Sequence, residues 1–265
     1  MSYAAAAFAI VRRDFLTDLS YRFRFAGQLI TAFTSVALFY YLSRLVKVGF
    51  SSAEAYFGFA VIGIVILQVL NSTLIGPPTS IRQELVAGTW ERLLLSPFGA
   101  VRSVVAVMLY PMFRACVLGV VTLGVAASVF GLKLHWETAF LAIPAAIIAT
   151  AAFIPFGVLM AGLILMTKQA ARGAAWVLTG VSLVGGLYFP TTLLPSWIRW
   201  VSEVQPFTPA VDLLRYLLVD TPLRESAWIE VAKLVGFTAV LTPLALALVG
   251  AVLRVTRRKG TIIEY

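Results

Sequence analysis

The chain has 265 residues, of which 60% are hydrophobic and only 12% charged, with a formal net charge of +9. That composition, with a mean hydropathy of +0.93, excludes an ordinary water-soluble domain. The cationic excess does not mark a nucleic-acid binder, because no basic face interleaved with aromatics lies outside the apolar stretches.

In chain order, the first predicted element is a helix within residues 1–24. Phe8, Val11, Phe15 and Leu19 share one side, Arg13 and Thr17 face away, and Asp14 and Asp18 flank. Such a helix lies in the membrane interface, with Arg12 at the border reaching for headgroups; a frayed amphipathic tail is the alternative. Its cations follow the Ala-rich start rather than precede a short apolar core, unlike a secretory signal.

Long windows without charge follow. Arg24 to Arg44 encloses 19 uncharged residues, Glu54 to Arg82 encloses 27, and Glu137 to Lys168 encloses 30. Arg172 to Arg199 encloses 26, Lys233 to Arg254 encloses 20, and Arg102 to Lys133 encloses 30 interrupted only by Arg114. A helix needs about 20 apolar residues to cross the hydrocarbon core. The expected fold is therefore all-α and polytopic, a single domain over 1–265 with six spans near 25–44, 56–76, 104–130, 138–166, 173–190 and 232–253. An even number of spans puts both termini on one side. That side holds 13 of the 21 cations and the other holds 7, with Arg114 in the membrane, so the richer side is cytoplasmic.

Between the second and third spans lies a polar island, residues 81–97. It carries Arg82, Glu84, Glu91 and Arg92 at helical spacing, Gly88-Thr89 inside, and Ser96-Pro97 as a stop. The expectation is one short amphipathic helix on the cytoplasmic side. Glu84 and Glu91 would pair with basic residues of a soluble partner, Gly88 would allow close backbone approach, and Trp90 and Leu94 would offer apolar contact. The plainer reading is a solvated face on which Arg82 and Arg92 neutralise the acids.

The outer loop of residues 190–228 is the second distinctive region. After Gly185-Gly186, Phe189-Pro190 and Pro195, residues Trp197, Trp200, Val201 and Val204 recur at helical spacing opposite Arg199, Ser202 and Glu203. Ser196 is the expected N-cap and Pro206 ends the run. A second amphipathic segment, 210–219, sets Asp212 near Arg215. Two short helices between spans predict a re-entrant hairpin at the outer leaflet, acting as an outer gate; a passive interfacial belt is the alternative.

Enzyme chemistry is nearly absent from the pattern. His135 is the single histidine and Cys116 the single cysteine, so neither a multi-histidine metal site nor an intrachain disulfide is available. No G-x-x-x-x-G-K-[ST] loop occurs, so ATP, if used, must be bound with its Mg by another polypeptide. No acidic residue falls within an expected span, which weighs against a proton- or sodium-driven carrier. Arg114 is the one ionisable residue inside a span: it either faces protein, water or an anionic group, or snorkels from a span that starts late at Pro111.

The island resembles the motif E-x-x-x-G-T-x-E-x-L-x-x-S-P of the ABC-2-type permeases, carried here by Glu84, Gly88, Thr89, Glu91, Leu93, Ser96 and Pro97. The outer loop is similar to the G-x-x-F/Y-P, L-P-x-W, P-x-T and L-R series of the same family, through Gly186, Tyr188, Phe189, Pro190, Leu194, Pro195, Trp197, Pro206, Thr208, Leu214 and Arg215. The resemblance implies a non-enzymatic permease subunit of an ABC exporter in the bacterial cytoplasmic membrane. It implies a homodimer bound to two cytoplasmic ATPase subunits, which dock on residues 81–97 as a coupling helix. It also implies a path built mainly by the first, second and fifth spans.

Within those spans Tyr40, Tyr41, Trp176 and Thr179, with Arg114, are the candidate path residues. An apolar-aromatic lining with few polar groups suits an amphipathic or lipid-like cargo such as a drug, lipid or glycolipid. A lipid-linked polysaccharide stands second, and a secondary transporter or a non-transporting scaffold stands outside the resemblance.

Overall fold

The computed structural model describes residues 3–20, 22–45, 50, 52–90, 92, 99–167 and 170–259. Among these there is no strand. The helices are α1 (Tyr3–Ser20), α2 (Arg22–Ser43), α3 (Ala53–Leu74), α4 (Gly76–Val86), α5 (Ala100–Phe130) and the single turn α6 (Trp136–Ala139). Then come α7 (Ala142–Thr167), α8 (Ala170–Val184), a 3-10 turn at Thr191–Leu193, α9 (Ser196–Glu203), α10 (Phe207–Val219) and α11 (Ala227–Lys259).

Helix α3 is the centre of the bundle, touching α2, α4, α5, α7, α8 and α10. Its sequence explains this: the run Tyr56–Ile64 is apolar or glycine at every position, and every residue in it is buried. A helix apolar all round must be surrounded by other helices. Ser52 caps its start, accepting a hydrogen bond from Ala55 N at 3.1 Å. Along α3, 67% of the apolar window is buried, against 17% in α2 and 11% in α11, which therefore lie at the periphery.

Lipid tails are as apolar as the side chains, so helices associate in a membrane by close packing rather than by hydrophobic burial. The main core follows that rule. Ala142, Ala145, Ala149 and Ala152 form a small-residue stripe on α7 that packs with Ile62, Ile66 and Leu70 of α3 and with Phe207, Ala210 and Val211 of α10. Gly157 serves the same end, since a Cβ there would lie 2.5 Å from Thr73 O. A second core joins Ile81 and Trp90 to Val104 and Met108 of α5, Val158 and Ala161 of α7, and Ala245 and Val249 of α11.

Among the described residues, five helices are long and apolar enough to cross a membrane: α2, α3 continued into α4, α5, α7 and α11. The expected fifth span, 173–190, is shorter than predicted. Helix α8 has 15 residues, about 22 Å at 1.5 Å per residue, whereas the hydrocarbon core is about 30 Å thick. It stops because Gly186 takes φ +74°, a left-handed conformation that glycine adopts at no steric cost. The chain then turns beside the middle of α3: an added Cβ on Gly63 would lie 2.0 Å from Leu187 O.

Three local expectations are also corrected. Residues 81–97 are not one helix, because α4 ends at Val86 and Gly88 adopts φ +66°. Residues 210–219 belong to a helix whose buried residues include Val211, Leu213, Leu214, Arg215 and Leu217, so it is a core helix and not an interfacial one. Ser196 does not cap α9; Pro195 holds the cap position and no side chain accepts there.

Candidate functional site

Helix α4 grows out of α3 with only Ile75 between them, and Pro77 and Pro78 at its start dispense with amide donors that a first turn leaves unbonded anyway. It ends in the turn Ala87-Gly88-Thr89, where Thr89 N donates to Glu84 O at 3.0 Å. Gly88 takes φ +66° in this turn, and nothing among the described residues lies within 4 Å of where its Cβ would be.

Glu84 is not a free acid on a solvated face. Its side chain is 13% exposed, receives the Thr89 hydroxyl, and lies 2.8 Å from Arg13 of α1. Arg13, expected to face away into solvent, instead bridges Glu84 and Asp14, the latter at 2.9 Å. Burial raises the Asp14 carboxyl above the usual range, and the Arg13 guanidinium opposes that shift. Trp90 is likewise not offered to a partner, being 1% exposed in the second core. Arg82 and Arg92 are exposed. Glu91 and Leu94 lie outside the described residues.

Arg114 has a partner that the order of residues did not suggest. It pairs with Asp18 of α1, and Tyr110 donates its hydroxyl to the same carboxylate at 2.9 Å. Phe15 of α1 meets the Tyr110 ring edge-on at 6.4 Å. The helix containing Arg114 starts at Ala100 and runs through Pro111, so Arg114 faces protein rather than snorkelling from a late start.

These ion pairs edge an open cavity of about 750 Å³ bordered by α1 to α5. From α3 it takes Ile64, Leu67, Gln68, Asn71, Ser72 and Ile75, and from α2 it takes Gln28, Thr31, Ala32 and Ser35. Both sets fall on one helical stripe, at spacings of three and four. Helix α4 adds Thr79, Ser80, Gln83 and Glu84. The stripe was readable in the sequence as polar residues recurring every helical turn within two apolar helices. Reading each span only for hydropathy passes over it.

The outer loop is organised by Arg215, which is 1% exposed. Its guanidinium donates to Gly186 O at 2.8 Å, to Leu187 O at 3.0 Å, and twice to Phe59 O at 3.0 and 3.1 Å. It stacks 3.2 Å from the Phe59 ring centroid, while the expected partner Asp212 is 3.8 Å away. Tyr188 stacks on Phe39 of α2, with ring centroids 6.3 Å apart. Pro190 starts the 3-10 turn, Phe189 is half-buried, and Arg199 donates to Thr192 O and Leu194 O. Trp197 and Trp200 stand out from the protein, 73% and 61% exposed.

The expected path residues do not gather in one cavity of the protomer. Tyr40 packs on Phe57 and Phe130 and lines a second cavity of about 820 Å³, which also contains Gly186, Pro190 and Arg215. Tyr41 of α2 and Trp176 of α8 are on the protein surface, 66% and 79% exposed, and Thr179 is exposed one turn after Trp176. One acid also enters an apolar window: α11 begins at Ala227, earlier than the predicted span, and its buried Glu230 faces Lys233 at 3.8 Å.

A family model described as ABC-2 type transporter matches residues 5–219. The chain belongs to the ABC-2 type transporter family. The match ends at the last residue of α10, although α11 beyond it packs closely along α7. No curated protein matches the chain. The chain is thus a multi-pass membrane protein with the membrane domain of an ABC-2 transporter, a permease component of a kind that pairs with an ATPase subunit. In this permease, the arm formed by α4 and the outer loop held by Arg215 are the two places where sequence motif and built geometry coincide.

Proposed function

We propose that the permease exports an amphipathic or lipid-like compound from the cytoplasm or the inner leaflet, driven by ATP hydrolysis on separate subunits. The α4 end, with both termini, is cytoplasmic, because the cation-rich segments gather there. Residues 76–92 form the coupling arm. The observation that carries this reading is the direct continuation of the central helix α3 into α4, secured to α1 by the Arg13–Glu84 pair. An ATPase that displaces the arm therefore moves the central helix and the interfacial helix together.

Two copies of the chain form the transporter. The exposed aromatic faces of α2 and α8, with Tyr41 and Trp176, suit the interface along which a path would run. The short α8, the turn at Gly186 and the buried α10 form a re-entrant outer gate, with Trp197 and Trp200 at the membrane boundary.

The test is co-purification with a soluble P-loop ATPase from the same cell, reconstitution into lipid discs, and a screen for compounds that stimulate ATP hydrolysis. A stable complex with two ATPases and stimulation by amphipathic compounds is expected. Failure to bind any such ATPase, or stimulation only by water-soluble ions, overturns the proposal.

A further inference from the structure

The cavity between α1 and α5 has a direction. Gly76, where α4 begins, adjoins Pro111: a Cβ there would lie 3.5 Å from Pro111 Cβ. At the other end Gly119 of α5 adjoins Val65 of α3, where an added Cβ would lie 2.9 Å from Val65 Cγ1. The lining near the first contact is polar, with Asn71, Ser72 and Gln83; near the second it is mainly apolar, with Ile64, Leu67 and Leu118, and the amide of Gln68 there is already bonded to Thr122 of α5. An occupant is thus offered polar groups at the α4 end and hydrocarbon one to two helical turns deeper, about 6–12 Å at 1.5 Å of rise per residue.

The charges do not select an ionic headgroup. The lining holds three acids, Asp14, Asp18 and Glu84, and two cations, Arg13 and Arg114. Each of the five is engaged: Arg13 with Asp14 and Glu84, and Arg114 with Asp18. An anionic group would have to break these pairs in a lining whose net charge is already negative. The side-chain amides of Gln28, Asn71 and Gln83, by contrast, make no hydrogen bond among the described residues. A primary amide offers two donors and one acceptor, which complements hydroxyl groups that both donate and accept.

We infer that this cavity binds the uncharged, hydroxyl-rich headgroup of a glycolipid-like molecule, with its apolar part toward Leu67 and Leu118. This rests on the export reading for its orientation and names the cargo class that the cavity admits. A volume of about 750 Å³ holds a headgroup and the first part of its chains, since drug-sized sites span about 300–1,000 Å³.

The experiment uses the full chain, without ATPase or nucleotide, in phosphatidylcholine discs doped equally with monoglucosyl dioleoylglycerol and dioleoyl phosphatidylglycerol. Native mass spectrometry of the released protein should show the glucosyl lipid retained over phosphatidylglycerol by about tenfold, roughly the worth of one well-made hydrogen bond. The double variant Gln28→Leu/Asn71→Leu should lose that preference, while Asn71→Gln should keep it. Equal retention, a preference for phosphatidylglycerol or phosphatidylcholine, or an unchanged preference in the double variant overturns the inference.

A second measurement covers the case in which the leucine variant does not fold. In a Cys116→Ala background, maleimide labelling of Asn71→Cys should be slowed by the glucosyl lipid and not by phosphatidylglycerol; equal rates overturn the inference. Because neither assay contains the ATPase, a negative result here leaves the coupling proposal standing. A chain that binds no ATPase leaves these lipid results interpretable.

Discussion

Arg13 Nη2 and Glu84 Oε1 lie 2.8 Å apart, joining the amphipathic N-terminal helix to the arm that leaves the central helix. Glu84 is also fixed from its own side by the Thr89 hydroxyl, across the turn that Gly88 makes possible. Glu84, the first of the two acids in the motif, is therefore bonded inside the chain, as a joint between two segments.

A joint predicts non-additive effects. Arg13→Ala and Glu84→Ala should each reduce ATP-driven export, and the double variant should be no worse than the more damaging single one. Transport rates in discs with the ATPase present measure this. Independent, additive losses would show that Glu84 serves a partner directly and Arg13 does something else.

The pair of Asp18 and Arg114 predicts a stability effect with a specific rescue. Asp18→Asn leaves Arg114 unpaired in a partly enclosed site and should destabilise by about 3 kcal/mol, at the low end for breaking a buried pair because both side chains keep some exposure. The double variant Asp18→Asn/Arg114→Leu should recover part of the loss. Thermal unfolding in a fixed detergent reads both, and a double variant as unstable as the sum of the singles would contradict the pairing.

Arg215 predicts that charge alone cannot substitute for it. Lysine keeps the charge but cannot reach Phe59, Gly186 and Leu187 carbonyls from one planar fork. Arg215→Lys should cost about 1–3 kcal/mol for each carbonyl left unbonded in the core. Gly63→Ala, which drives a methyl into Leu187 O, should give the same phenotype. Loss of monodisperse protein in size-exclusion profiles of both variants is the expected result; a normal profile for Gly63→Ala would mean the loop can shift freely.

The exposed faces of α2 and α8 predict a cross-linkable interface. In a Cys116→Ala background, cysteines at Tyr41 and Trp176 should form dimers in the membrane, and one at Trp228 of α11 should not. Cross-links from Trp228 alone would place the interface on the opposite face.

Replacing Trp197 and Trp200 with alanine tests the outer gate. The two rings project from α9 beyond the protein surface. Their loss should raise basal leak or uncouple ATP hydrolysis from export, measured as dye release and as the ratio of export to ATP consumed. Normal export across a tight membrane would reduce α9 to an interfacial anchor.

Composition and charge spacing determined that this chain is helical and membrane-embedded, and where most apolar helices begin and end, because insertion depends on the summed hydropathy of about 20 adjacent residues. The two motifs, one around Glu84 and one around Arg215, were legible as patterns because turn glycines, prolines and charges keep fixed spacing along the chain. Their contacts were not legible. Arg13 with Glu84, Asp18 with Arg114, and Arg215 with the carbonyls of Phe59 and Gly186 are pairings between helices distant in sequence, and no local rule ranks one acid or carbonyl above another. The length of α8 was likewise decided by tertiary packing: its apolar run continues past Val184, but the missing Cβ of Gly63 and the positive φ of Gly186 let the chain turn early against α3. Hydropathy is a local sum, whereas closed ion pairs, close backbone approach and a shared cavity exist only once the helices have met.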